Sequence, residues 1–128
     1  MYDQHGLQKI NNMSESILVP KSKKFAIRIL KCCDYLDKTN IRHALVDQIQ
    51  RSGTSIGANI AESVFAQSTA DYITKLHIAL KEANETRYWL GILHEMKYLN
   101  DEIYSSMLID NEELIKLLVS IIKSCKNK

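Results

Sequence analysis

One proline, four glycines and three cysteines among 128 residues leave little material for a turn-rich or disulfide-stapled fold. Aromatic residues are scarce at 7%, while 45% of the chain is apolar and rich in Leu, Ile and Ala. That balance favours helices over a β-sandwich or barrel. No stretch approaches the roughly 18 consecutive apolar residues of a membrane span. The opening MYDQHGLQKINNMSESILVP has no cationic patch followed by an apolar run, so no signal peptide is expected. Charge of one sign is also lacking: 17 Lys and Arg face 15 Asp and Glu, a net of +2 that falls short of a dedicated nucleic-acid coat. Three cysteines cannot all pair within one chain, and Cys32 and Cys33 are helix neighbours whose side chains diverge, so a reducing cytoplasm is the expected location. His5, His43, His77 and His94 lack E-x-x-H spacing and no C-x-x-C is present, so no metal and no cofactor is expected.

What is present is helical periodicity. Residues 1–19 are polar and aperiodic and read as a flexible arm ending at Pro20; residues 20–128 form the domain. A first helix over about 21–38 gathers Phe25, Ala26, Ile29, Leu30, Cys32, Cys33 and Leu36 on one side. The second, over about 41–65, aligns Leu45, Ile49, Ile56 and Ile60, with Gly53, Gly57 and Ala61 beside them at the spacing that lets another backbone approach. Two interior glycines cost roughly 1 kcal/mol each relative to Ala. A packing gain must offset that, and a bend near Arg51-Ser52-Gly53-Thr54 is expected. A third helix opens on the capping box Ser68-Thr69-Ala70-Asp71 and runs to about Tyr98. It carries a core stripe of Tyr72, Leu76, Ala79, Leu80, Ala83, Leu90 and Leu93, and a second stripe of Ile78, Trp89, Ile92 and Met96 for which a lone bundle has no use. After Asn100-Asp101-Glu102 a fourth helix reaches about Lys126 with an apolar arc over half its wheel. Four amphipathic segments with short connections and no period-2 pattern specify an all-α, antiparallel up-down-up-down four-helix bundle.

Two polar patterns stand out. On the second helix Gln48, Arg51, Ser55, Asn59 and Glu62 share a stripe beside the apolar face, and Asp71, Lys75, Glu82 and Glu85 on the third offer complementary groups. Arg51 with a carboxylate would form a forked pair that fixes register, giving a structural polar network. On the first helix Lys21, Lys24, Arg28 and Lys31 recur every three or four residues with no acidic residue between them, so the strip could neutralise RNA or DNA phosphates or simply be a solvated face. No Gly-rich phosphate loop, nucleophile elbow or Ser-His-Asp set is legible, and no catalytic residue is expected.

The second and third helices contain Arg51-Ser-Gly-Thr-Ser-Ile-Gly-Ala-Asn-Ile-Ala-Glu62 and Lys75-Leu-His-Ile-Ala-Leu-Lys-Glu-Ala-Asn-Glu-Thr-Arg-Tyr-Trp-Leu90. This wording closely resembles the bacterial four-helix-bundle family related to proteins encoded in ribosomal-RNA intervening sequences, over about residues 21–122. The resemblance implies a cytoplasmic bundle that assembles as a ring, typically a homopentamer. It also implies kinship with the accessory protein of diversity-generating retroelements, which binds nucleic acid and a reverse transcriptase. The expectation is therefore a non-enzymatic homo-oligomer, a pentamer, with Ile78, Trp89, Ile92 and Met96 at its subunit interface and RNA or DNA on Lys21, Lys24, Arg28 and Lys31. The rival expectation is an adaptor that docks a partner protein through the third-helix stripe, with no membrane role.

Overall fold

The computed structural model describes residues 13–127, and every regular element among them is helical: α1 Met13–Leu36, α2 His43–Ser63, α3 Thr69–Glu95 and α4 Asp101–Lys126. Each helix packs on its chain neighbours and α4 closes onto α1, giving a four-membered bundle. The ion pairs set the helix directions. Lys21 meets Glu113 and the later Arg28 meets the earlier Asp110, so α1 and α4 are antiparallel. Lys75 with Glu62, then Glu82 with the earlier Arg51, says the same of α2 and α3.

The start of α1 corrects the expected arm. Residues 13–19 belong to the helix, and Leu18 is fully buried in the core. Residues 1–12 of the expected arm lie outside the described residues. Pro20 sits inside α1, not at its edge. It removes one main-chain N–H from the helical ladder, and nearby the Ser22 hydroxyl donates to the Val19 carbonyl at 3.0 Å. Leu30, expected in the core, is 43% exposed, while Ser22 takes an inward position instead.

That inward serine follows from the glycines of α2. A Cβ on Gly53 would stand 2.6 Å from Cγ1 of Ile29, and one on Gly57 would stand 3.1 Å from the main-chain oxygen of Ser22. The two helices therefore approach at distances only Gly permits. The helix α2 runs unbroken from His43 to Ser63, and Ala61, grouped with the glycines in the sequence, is exposed.

Ile29, Leu36, Ile49, Ile56, Ile60, Leu76, Leu90 and Leu114 fill the centre, each at most 1% exposed. Burying each such side chain contributes roughly 1.5–3 kcal/mol. Of the polar side chains buried with them, Asn111 of α4 donates its amide to the Ala83 carbonyl at 3.1 Å, where small Ala79 and Ala83 let α4 close on α3. Its side-chain oxygen has no partner.

The helix ends are fixed locally. Ser68 accepts from Asp71 N–H at 3.0 Å while the Asp71 carboxylate accepts from Gln67 N–H at 3.1 Å, a capping box displaced by one residue. Asn100 caps α4 by accepting from Ile103 N–H at 2.8 Å. At the end of α3, Tyr98 N–H returns to the Leu93 carbonyl at 2.9 Å through Lys97, whose φ of 67° lies in the left-handed region.

Candidate functional site

The groove between α2 and α3 assembles the polar network that the two stripes foreshadow. The Arg51 guanidinium donates to Glu82 at 3.1 Å and also to Glu85, and Trp89 Nε1 donates to the same Glu85 at 3.1 Å. At the other end of the groove Lys75 pairs with Glu62 at 2.9 Å. Arg51 therefore bridges two carboxylates one turn apart, as its planar fork allows. Its hydrogen bond, followed by that of Trp89, holds the Glu85 carboxyl below its ordinary range. Ser55 and Asn59 serve α2 itself, the hydroxyl donating to the Arg51 carbonyl at 2.6 Å and the amide to the Ser55 carbonyl at 2.8 Å.

The second apolar stripe of α3 lies along the outer edge of this network. Ile78 is 37% and Met96 55% exposed, Ile92 is half-buried, and Trp89 is half-buried against the core with its indole N–H tied to Glu85. Tyr88, which the family motif nominates with Trp89 as a fold and assembly position, is 60% exposed and meets the Trp89 ring edge-on, centroids 5.0 Å apart. The face thus pairs exposed apolar side chains, Ile78 and Met96, with an indole whose N–H is tied to Glu85.

The basic strip of α1 is divided by its neighbour. Lys21 pairs with Glu113 at 3.1 Å, and Arg28 is held by Asp110 and by the Ser106 hydroxyl at 3.0 Å. Lys24 and Lys31 are exposed and have no carboxylate within pairing distance among the described residues. The strip carries no acidic residue of its own, yet α4 supplies two, which no periodicity within α1 can reveal.

Other chemistry-bearing groups are dispersed or inert. Cys32, Cys33 and Cys125 are buried, and burial pushes the Cys33 thiol up to about 12, so it stays protonated. Among the described residues no three His, Cys, Asp or Glu side chains converge as metal ligands. His94 stacks on Tyr104 at 4.1 Å and contacts Asp101 at 2.7 Å, joining the end of α3 to the start of α4. The seven-residue spacing of His94 and Asp101 across a turn gave no warning of this pair. No helix of the described residues is long and apolar enough to cross a membrane.

Comparison with known proteins places this geometry. The family model described as 23S rRNA-intervening sequence protein matches residues 14–120. A crystal structure of a protein of unknown function from the S23 ribosomal protein family of Bacteroides thetaiotaomicron is 51% identical; the match covers 83% of this chain and 98% of that one, with a TM-score of 0.81. No curated protein matches. The chain belongs to the 23S rRNA-intervening sequence protein family.

Proposed function

We propose that this family member is a non-enzymatic scaffold that works as a homo-oligomer, a pentamer, with the outer face of α3 as its subunit contact. One observation carries the reading: Ile78, Tyr88, Ile92 and Met96 form an apolar strip beside a groove whose polar groups are already paired with one another. A second surface can cover that strip without stranding a charge, because Arg51, Glu82 and Glu85 need no further partner. Trp89, oriented by Glu85, offers a rigid ring at the centre of the contact. The similarity to a ring-forming family supports the subunit number.

Light scattering on the purified chain tests this. Assembly as a pentamer gives a mass of about 74 kDa, five times 14.7 kDa. Ile78→Lys with Met96→Lys should reduce it to a monomer of unchanged helicity. A wild-type chain that stays monomeric at micromolar concentration refutes the proposal.

Recruitment of RNA or DNA then depends on assembly. Lys24 and Lys31 are the two cations of the strip without a carboxylate, which sets a counterion-release slope of about −1.8 per subunit. So shallow a slope gives a lone subunit little hold, and only copies acting together would retain a phosphate backbone. Gel-shift affinity for structured RNA should fall in Lys24→Glu, Lys31→Glu; an unchanged affinity removes the α1 strip from the reading.

A further inference from the structure

The outer face of α1 has more than charge on it. Ile17, Val19, Ile27, Leu30 and Tyr35 are between 37% and 47% exposed, five of the eleven large apolar side chains that the described residues leave open. At 100° per residue, Pro20 and Ile27 fall on one line a heptad apart, Lys23 lies on one flank, and Lys24 and Lys31 on the other. Ile17, Pro20, Lys23, Lys24 and Ile27 line a shallow groove of about 550 Å³. None of the three lysines has a carboxylate within pairing distance among the described residues, and between positions 16 and 35 the only acidic residue of α1 is Asp34.

We propose that this face docks an acidic amphipathic helix of a partner protein, its apolar row seated along Pro20 and Ile27 and its flanking carboxylates paired with Lys23, Lys24 and Lys31. Pro20 and Ile27 repeat at heptad spacing with cations on both shoulders, which gives one short apolar row for a two-helix contact, ending at Asp34 one heptad further on. Charge complementarity makes the occupant acidic. A phosphate backbone draws on the same lysines but leaves Ile27 and Leu30 uncovered, so RNA and the acidic helix would compete for Lys24 and Lys31. A lipid surface needs side chains that project, and each of these is more than half covered already. The face lies across the bundle from α3, since α1 packs on α2 and α4, so the inference does not rest on assembly through α3.

The test uses the full chain and a fluorescent synthetic helix of about three heptads, with Leu and Ile at the seam and Glu at the flanks. Fluorescence anisotropy should show saturable binding that weakens with salt and is absent for the same peptide with Lys in place of Glu. Ile27→Asp should weaken binding at least about tenfold, and Lys24→Glu, Lys31→Glu about as much. Ile109→Asp, at a more open apolar site on α4, should leave binding unchanged. None of these positions lies in the buried core, so thermal melts should show every variant folded at the assay temperature. The proposal is overturned if the acidic peptide fails to bind the wild type, or if Ile27→Asp binds it normally. Binding of a single-stranded RNA that the lysine variants lose and Ile27→Asp keeps, without peptide binding, would assign the face to nucleic acid. Loss of the assembled mass in the α1 variants would assign it to a second copy. Either result also overturns the proposal.

Discussion

Replacing Gly53 by alanine sets two effects of opposite sign against each other. Alanine is better than glycine in a helix interior by about 1 kcal/mol. The added methyl, however, would lie 2.6 Å from Cγ1 and 2.9 Å from both Cδ1 and Cγ2 of Ile29, a side chain with no exposed surface and so no room to turn. Overpacking of this kind costs typically 1–3 kcal/mol, and a contact with three carbons belongs at the upper end. The expected net loss is about 1–2 kcal/mol, roughly 3–8 °C in midpoint. Gly91 on α3 is the control, because a Cβ there meets nothing within 4 Å and the propensity gain of about 1 kcal/mol should appear alone. Removing the obstruction gives the sharper test. Ile29→Ala costs about 2–5 kcal/mol by itself, but in its background Gly53→Ala should become neutral or stabilising, a coupling of about 2–3 kcal/mol. Urea denaturation followed by circular dichroism, at one protomer concentration for all variants, reads every corner of this cycle. If Gly53→Ala stabilises the wild type as much as Gly91→Ala does, α1 and α2 are not in the contact described and the reasoning fails.

Three further outcomes follow from single groups. Asn111→Leu should leave stability unchanged or raise it by about 1 kcal/mol, because an amide with an unpartnered oxygen leaves the core; Asn111→Asp should cost about 3 kcal/mol or more, and equal effects in urea titrations would refute the account. Lys97→Gly should raise the thermal midpoint by the equivalent of about 1 kcal/mol, since glycine takes a φ of 67° without strain. Burial raises the Glu15 carboxyl from 4.5 to about 7, so between those values the folded chain holds a proton that the unfolded chain releases. Stability should therefore decline as pH rises through that window, by about 1 kcal/mol once partial exposure is allowed for. Glu15→Gln should remove that share of the decline, measured as urea midpoints across the window.

Much of the bundle was legible because its determinants are periodic. Ile49, Ile56 and Ile60, or Leu76, Leu90 and Leu93, fall inside because the 3.6-residue repeat leaves them no other common side. Ser68 and Asp71 announced the start of α3 because capping acts over three residues and needs no distant partner. The Arg51 network was legible as a pattern, since complementary groups lay on two stripes, but the choice of Glu82 and Glu85 over Asp71 needed the register of α2 against α3. The N-terminal arm was misread from residue 13 on. A single Pro and a polar composition suggest a boundary, whereas Leu18 finds a place in the core and carries the helix two turns back.

The amino-acid order alone determined the number of helices, most of their inward faces, the N-terminal caps of α3 and α4 and the membership of a family, because each depends on neighbours within about one helical turn or on wording held in two contiguous motifs. Tertiary structure alone decided which surfaces stay free. Glu113 and Asp110 of α4 reach across to Lys21 and Arg28, Gly53 and Gly57 press α2 onto Ile29 and Ser22, and Ile27 and Leu30 are left outside. These are relations between segments tens of residues apart, and they exist only once packing has brought their helices side by side.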